Sequence, residues 1–413
     1  MKSANWYKAL VLSFVVTISG CSTMSDWFTD DEELEIRKLK PIDAKFEAKQ
    51  LWSKHLTGGV DFYYSRLRPA VAYEKVFAAS RQGVVAAFEQ QSGTRVWQRD
   101  FATYQNEGWF SSIGNLWSDG ISAKISGGVT VIYETVFFGT ENGEVYALDA
   151  NTGETKWQVN IKGEVIAAPA VDENIVIVNT GAGLMFALDA ATGEEVWRYE
   201  SDVPALSLRG ISAPLAANGG AIVGTATGKL VVNIINSGQT VWEQTVSAPS
   251  GATELERIVD VDSQPIIVGP NVYVVSFDGT LASVELRTGR VIWKREYNSY
   301  RRIVVDGNSL FVTDTNSNIY SIDRRNGVEL WSQNSLKQRN LTAPEVSGAY
   351  IVVGDKYGFL HWIDKQDGTI VSRLDIGGDD EDEGIYAAPV ANGNLLYTQT
   401  REGELVAIEI PII

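Results

Sequence analysis

The sequence has one cysteine, Cys21, in 413 residues, which excludes disulfides within the chain and any metal site built on several thiolates. It has two histidines, His55 and His361, and they form no His-x-x-x-His spacing. Each falls in a strand-like stretch, where a structural histidine is the expectation. No Gly-x-Ser-x-Gly elbow occurs, and no glycine-rich phosphate loop leads into a helix. Basic residues are few, 35 Lys and Arg against 52 Asp and Glu, for a formal charge of −17. Nucleic acid is therefore not an expected partner. The apolar stretch at residues 9–18 is too short to span a bilayer.

What is present is a period. The segment from Asn142 and Gly143 through Leu148 and Asp149 to Gly153 and Trp157 has near copies that place glycine pairs at 83/93, 183/193, 228/238, 279/289 and 358/368. A further copy has Ser317 for its first glycine, before Gly327. Six copies end in tryptophan, at Trp97, Trp157, Trp197, Trp242, Trp293 and Trp331, and the seventh has Ser372 in that place. Prolines 69, 169, 214, 265, 344 and 389 open many of the units. Between them lie β-branched and aromatic runs such as Ile175 to Val178 and Val272 to Ser276. Asn-Gly, Asp-Gly and Thr-Gly pairs supply the positive φ of tight hairpins. Four antiparallel strands per unit of about 40 to 50 residues make a propeller blade.

A ring requires the same side chain in each unit, because each tryptophan fills the same gap between neighbouring blades. An eighth unit runs from Ala388 and Pro389 through Gly403 to Glu409 and lacks its tryptophan strand. The stretch from Lys49 to Leu56, with Trp52, has the look of that strand. The expected fold is all-β: an eight-bladed propeller of four-stranded antiparallel blades over residues 48–413, closed by pairing the N-terminal strand with the last blade. Closure of this kind removes exposed sheet edges.

Residues 1–20 stand apart. Lys2 and Lys8 precede the end of a short apolar stretch, and Ile18-Ser-Gly-Cys21 closes it with small residues before the cysteine. This resembles the lipobox of bacterial lipoproteins. The resemblance implies a signal peptide over 1–20, lipidation of Cys21, outer-membrane sorting from Ser22, and a periplasmic body. Residues 21–47, with the acidic run Asp30 to Glu33, then read as a lipidated flexible tether.

The spacing between tryptophans is uneven, and the excess falls in the connections from one unit's last strand to the next unit's first. These connections all emerge on one face, where loops on a rigid scaffold carry binding residues. The first, residues 100–126, contains Trp109, Phe110 and Trp117, either as a contact patch or as self-packing of a long loop. The second contains Leu206, Leu208, Arg209 and Gly210, and the third contains Arg257, Asp260 and Asp262. The last two follow consecutive blades and must be neighbours. In extended segments Leu206 and Leu208 point the same way, and so do Asp260 and Asp262. Exposed, they suit a protein partner, with apolar contact for affinity and charge for register. Alternatively, the leucines tuck under the loop and the aspartates are solvated or cap turns. The acidic run Asp379 to Glu383 lacks the alternating spacing of a calcium loop.

Two resemblances bear on function. The units Ala147 to Trp157 and Ala187 to Trp197 resemble the tryptophan-docking repeats of quinoprotein dehydrogenases, but the cysteine pair on which those enzymes commonly stack their cofactor is absent, and no cofactor is expected. The lipobox, the eight repeats, the Leu-Ser-Leu-Arg-Gly segment and the Arg-Ile-x-Asp-Val-Asp segment together resemble the BamB family of outer-membrane assembly factors over essentially the whole chain. That resemblance implies a non-enzymatic scaffold lipoprotein of the β-barrel assembly machinery. Such a scaffold binds periplasmic POTRA domains of the central barrel protein, BamA, and assists folding and insertion of outer-membrane barrels. It also implies Leu206, Leu208, Arg209, Asp260 and Asp262 as partner-binding residues. Unfolded barrel clients are a further possible partner, through blade edges. The alternatives are a periplasmic propeller that binds a small ligand or glycan on its axis, and a quinoprotein-like dehydrogenase.

Overall fold

The computed structural model describes residues 35–60, 63, 65–103, 120–208, 210–377 and 384–411. The chain divides into two units, Met1–Pro41 and Ile42–Ile413. In the first, Lys38 pairs with Glu35 at 2.5 Å. The second unit includes residues 42–47, which the sequence alone assigns to the tether. Among the described residues no helix is long and apolar enough to cross a membrane.

The second unit is an eight-bladed propeller of four-stranded antiparallel sheets. Blade 2 is representative: strands Thr130–Ile132, Thr135–Gly139, Glu144–Asp149 and Thr155–Asn160 follow one another as a meander. Blades 1 to 7 cover residues 70–100, 130–160, 170–200, 215–245, 266–296, 304–333 and 345–375. Blade 8 takes its inner three strands from residues 390–409 and its outer strand from Lys49–His55, with Ser53 opposite Val406 and His55 opposite Glu404. The expected ring closure is therefore observed.

Second and third strands are almost wholly buried, as Ile175–Asn179 and Leu184–Asp189 of blade 3 show. Their side chains form clusters between adjacent blades rather than one central core. The cluster of Phe137, Val145, Trp157, Val178 and Phe186 joins blades 2 and 3.

The tryptophans lock these seams. Each indole lies against the turn glycine of the next blade: Trp52 on Gly93, Trp97 on Gly153, Trp157 on Gly193, Trp197 on Gly238, Trp242 on Gly289, Trp293 on Gly327 and Trp331 on Gly368. A methyl group on Gly193 would sit 2.7 Å from the Trp157 ring, and φ there is +75°. Glycine thus serves both the close approach and the left-handed turn. Every indole N–H also donates to a backbone carbonyl across the seam, from Trp157 to Ala190 at 3.0 Å and from Trp197 to Ile235 at 2.7 Å, for example.

A β-bulge aims these rings. In each blade the pairing of third and fourth strands slips by one residue immediately before the docking position, as Leu148 opposite Thr155 and Ala147 opposite Trp157 show. The extra residue is Val96, Lys156, Val196, Val241, Ile292, Leu330 or Val371, and Leu51 in blade 8. A bulge increases local twist and redirects the following side chain. That explains why six of these positions are exposed aliphatics beside a sequestered tryptophan.

Candidate functional site

Two long connections meet on the ring. Residues 201–214 lead from Glu195–Glu200 of blade 3 to Leu215–Ala217 of blade 4. Residues 246–265 lead from Thr240–Thr245 of blade 4 to Ile266–Val268 of blade 5. The Leu208 amide donates to Asp260 Oδ2 at 2.8 Å. The Ser212 hydroxyl donates to the Ser263 carbonyl at 2.9 Å, and the Gln264 amide to the Pro214 carbonyl at 3.3 Å. Gly210 is so close to Asp262 that a methyl group there would overlap the carboxylate, which explains the glycine after Arg209.

Asp260 and Asp262 do share a side, but that side faces the neighbouring loop and not solvent. Residues 258–263 are buried throughout, with Asp260 1% and Asp262 5% exposed. Val261 lies against Gly224 and Val259 against Gly228, both in blade 4. This packing turns the alternate carboxylates toward Leu208 and Gly210. Burial pushes the Asp260 carboxyl up to about 7, with Asp262 adding to the rise and the Leu208 amide opposing it. Burial raises Asp262 as well, against the pull of the Arg66 cation. Asp260 Oδ1 has no hydrogen-bond partner among the described residues. The expectation that both aspartates lie on the exposed surface is thus corrected: the valines of the same segment need the blade, so the carboxylates are sandwiched between the loops.

The leucines divide. Leu206 is 42% exposed, with Val203 beside it at 43%, whereas Leu208 is half-buried where its amide is held by Asp260. Arg209 and Cys21 lie outside the described residues, as do Trp109, Phe110 and Trp117. Leu255, at 72% the most exposed large apolar side chain described, went unread in the sequence. Its signal was the capping pattern Thr253-x-x-Glu256. The Thr253 and Ala252 amides donate to Glu256 Oε2 at 3.0 and 2.8 Å, and the Glu256 amide donates to Thr253 Oγ1 at 3.3 Å. The capped turn holds Leu255 outward.

Charged groups where the connections lead into the blades pair with one another. Arg68 and Arg302 both contact Glu345 Oε2, at 3.5 and 3.0 Å, and Arg68 also donates to the Pro389 carbonyl at 3.3 Å. His361 is fully buried, 2.9 Å from Asp355, and His55 lies on the outer strand of blade 8 with its ring 3.8 Å from Glu404. Among the described residues no three His, Cys, Asp or Glu side chains are grouped to hold a metal ion.

The profile of the family described as outer membrane protein assembly factor BamB matches residues 113–333 and 316–411. An outer membrane protein assembly factor BamB from Alteromonas naphthalenivorans is 57% identical over 399 residues, covering 97% of this chain and 95% of that protein. The crystal structure of BamB from Moraxella catarrhalis aligns with a TM-score of 0.75 at 28% identity, over 88% of this chain and 100% of that one. A quinohemoprotein alcohol dehydrogenase from Comamonas testosteroni aligns with a TM-score of 0.66 at 14% identity, over 89% of this chain and 78% of that one, a likeness of fold alone. The ring, its two joined loops and these similarities lead to one assignment: the chain belongs to the BamB family of outer membrane protein assembly factors.

Proposed function

We propose that this chain is a non-enzymatic scaffold of the outer-membrane β-barrel assembly machinery, tethered to the periplasmic face of the outer membrane through lipid on Cys21. In this reading residues 201–210 and 254–262 bind POTRA domains of BamA. The rigid ring holds those domains in an orientation that assists folding and insertion of barrel proteins. No bond is made or broken.

The observation that carries the reading is the construction of the loop pair. Asp260 pins the Leu208 amide from below, which leaves Leu206, Val203 and Leu255 presented to solvent on two mutually braced loops. Apolar side chains on a braced support cost little ordering when a partner docks. Asp260 and Asp262 then act by shaping the loop rather than by touching the partner. Leu206 and Arg209 are the residues of the motif assigned to direct contact.

The test is a capture from detergent-solubilised outer membranes with the tagged full-length lipoprotein, comparing wild type with Leu206→Glu and Arg209→Ala. Loss of about 2 kcal/mol or more of binding is the expectation for a central contact, with thermal melting unchanged. Equal recovery of BamA by all three proteins moves the interface elsewhere, and no recovery by wild type overturns the scaffold reading.

A further inference from the structure

The two loops are joined to each other by Leu208 and Asp260, by Ser212 and Ser263 and by Gln264 and Pro214, and a separate tie holds both to the blade 1 side of the ring. Arg66 precedes blade 1, and its Nη1 donates to the Ile211 carbonyl at 2.6 Å and to the Asp262 carbonyl at 3.0 Å. Ile211 directly follows the Leu206–Gly210 segment and leads into blade 4; Asp262 leads into blade 5. In a ring of eight, blade 1 lies opposite blade 5, with blade 4 beside it, so this guanidinium reaches across the middle of the ring to both loops at once. Its own backbone is fixed at the near side. The Arg66 amide donates to the Ser126 carbonyl at 2.9 Å, the Ser65 hydroxyl donates to the same carbonyl at 3.2 Å, and Leu67 is buried in the cluster between blades 1 and 2.

We propose that Arg66 is the positioning residue of the 201–211 and 258–263 loops, setting their separation and angle by holding one carbonyl of each on a single nitrogen. The inference rests on the reading of these loops as the partner-binding surface. The contacts of Asp260 and Ser212 join the loops only to each other and move with them, whereas two acceptors on one nitrogen of Arg66 hold both loops against blade 1 as well. A planar guanidinium with a fixed fork of donors suits this task. Its charge also lies beside the buried Asp262 carboxylate, so the same side chain neutralises part of what the sandwiched aspartates bring into the seam. Arg68, two residues on, turns to Glu345 and Pro389 on blades 7 and 8 and provides a control of equal charge.

Amide hydrogen exchange on the purified protein without partner tests the positioning directly. In Arg66→Met, exchange across 205–208, 210–212 and 258–263 should rise by about tenfold or more, since these amides then open locally, while residues 350–354 of blade 7 keep wild-type rates. Arg66→Lys should restore protection, because one ammonium can serve the two carbonyls that now share one nitrogen. Arg68→Met should leave both loops as in wild type. Should the methionine variant not fold, Arg66→Gln, whose side-chain nitrogen stops two bonds short of the position of Nη1, should show the same rise. Wild-type exchange in a folded Arg66 variant, or an equal rise in Arg68→Met, overturns the proposal. Capture of BamA by the same variants reads the consequence: Arg66→Met weakened at least tenfold and Arg66→Lys near wild type. If wild type captures no BamA while the exchange results hold, the partner reading falls and the positioning role of Arg66 stands.

Discussion

The Ser372 hydroxyl donates to the Phe46 carbonyl at 2.8 Å, across 326 positions of sequence, at the one seam where a docking tryptophan is replaced. The Phe46 ring lies 5.1 Å from Tyr350 and 6.0 Å from Trp362, and the Lys45 amide donates to the Val371 carbonyl at 2.8 Å. Val371 is the bulged residue of blade 7, and it is buried where its counterparts in other blades are exposed. The segment before the closing strand therefore takes over the sealing role of the missing indole. Phe46→Ala should destabilise the propeller by about 1–2 kcal/mol, in keeping with a half-buried aromatic ring. Trp157→Ala should cost about 3–5 kcal/mol. Denaturant melts of both variants check the order; a Phe46→Ala melt equal to wild type would show that the segment does not seal the seam.

The contribution of docking can be separated from that of backbone strain. Gly193 and Gly307 both have positive φ, +75° and +57°, but a methyl group on Gly193 meets Trp157 whereas one on Gly307 meets nothing within 4 Å. Gly307→Ala should cost about 1–2 kcal/mol from the left-handed conformation alone. Gly193→Ala should cost about 1–3 kcal/mol more, from displacement of the indole. Equal losses in thermal unfolding would mean that the tryptophan yields without penalty.

The ring was legible in the sequence because its signals repeat: the glycine pair, the tryptophan and the strand content recur with each blade, and Trp52 announced the closing strand. Even the bulge has a trace, an aliphatic residue before most docking tryptophans. What recurs nowhere was not legible. Arg66 meets its carbonyls 145 and 196 positions away, and Phe46 meets Ser372 across most of the chain. No local pattern encodes such pairs. The aspartates misled for a different reason: alternation places Asp260 and Asp262 on one side of their segment but does not say whether that side meets water or another loop.

One buried charge cluster lies in blade 7 and the connection that leads to it. Arg339 Nε donates to Asp355 Oδ2 at 2.6 Å, His361 Nε2 is 2.9 Å from the same oxygen, and Arg373 donates to His361 Nδ1 at 3.2 Å. The last contact makes Nδ1 an acceptor, so the ring is neutral with its proton on Nε2. Burial alone would raise the Asp355 carboxyl, but His361 and Arg339 together hold it below its usual range. Asp355 Oδ1 accepts from the Tyr357 and Phe359 amides at 3.0 and 2.9 Å, but Arg339→Met takes the Arg339 cation from the buried carboxylate and should cost about 3–5 kcal/mol. A structural role was expected of both histidines, and the complete burial of His361 gives it no path to solvent. A loss below about 1 kcal/mol in Arg339→Met would mean that His361 and the two backbone amides can carry the charge without Arg339.

Stability should also depend on pH through Asp260, with a sign opposite to that of most carboxylates. Its usual value is 3.8 and burial carries it to about 7 in the fold, between the like charge of Asp262 and the opposing Leu208 amide. Between about pH 4 and 7 the folded protein keeps a proton that the unfolded chain has already released. The unfolded state then binds fewer protons, so stability falls as pH rises through this window. The contribution is fully present below the unfolded value and gone above about 7. Asp323, held at about 2 by Arg325, acts with the opposite sign and only at lower pH. Asp260→Asn keeps a carbonyl oxygen for the Leu208 amide and removes the titration. Its melting temperature relative to wild type should therefore improve from pH 4 to about pH 7 and level off by pH 8. A difference that stays constant over that range would place the Asp260 titration outside it and would mean that the sandwich of loops does not hold the proton.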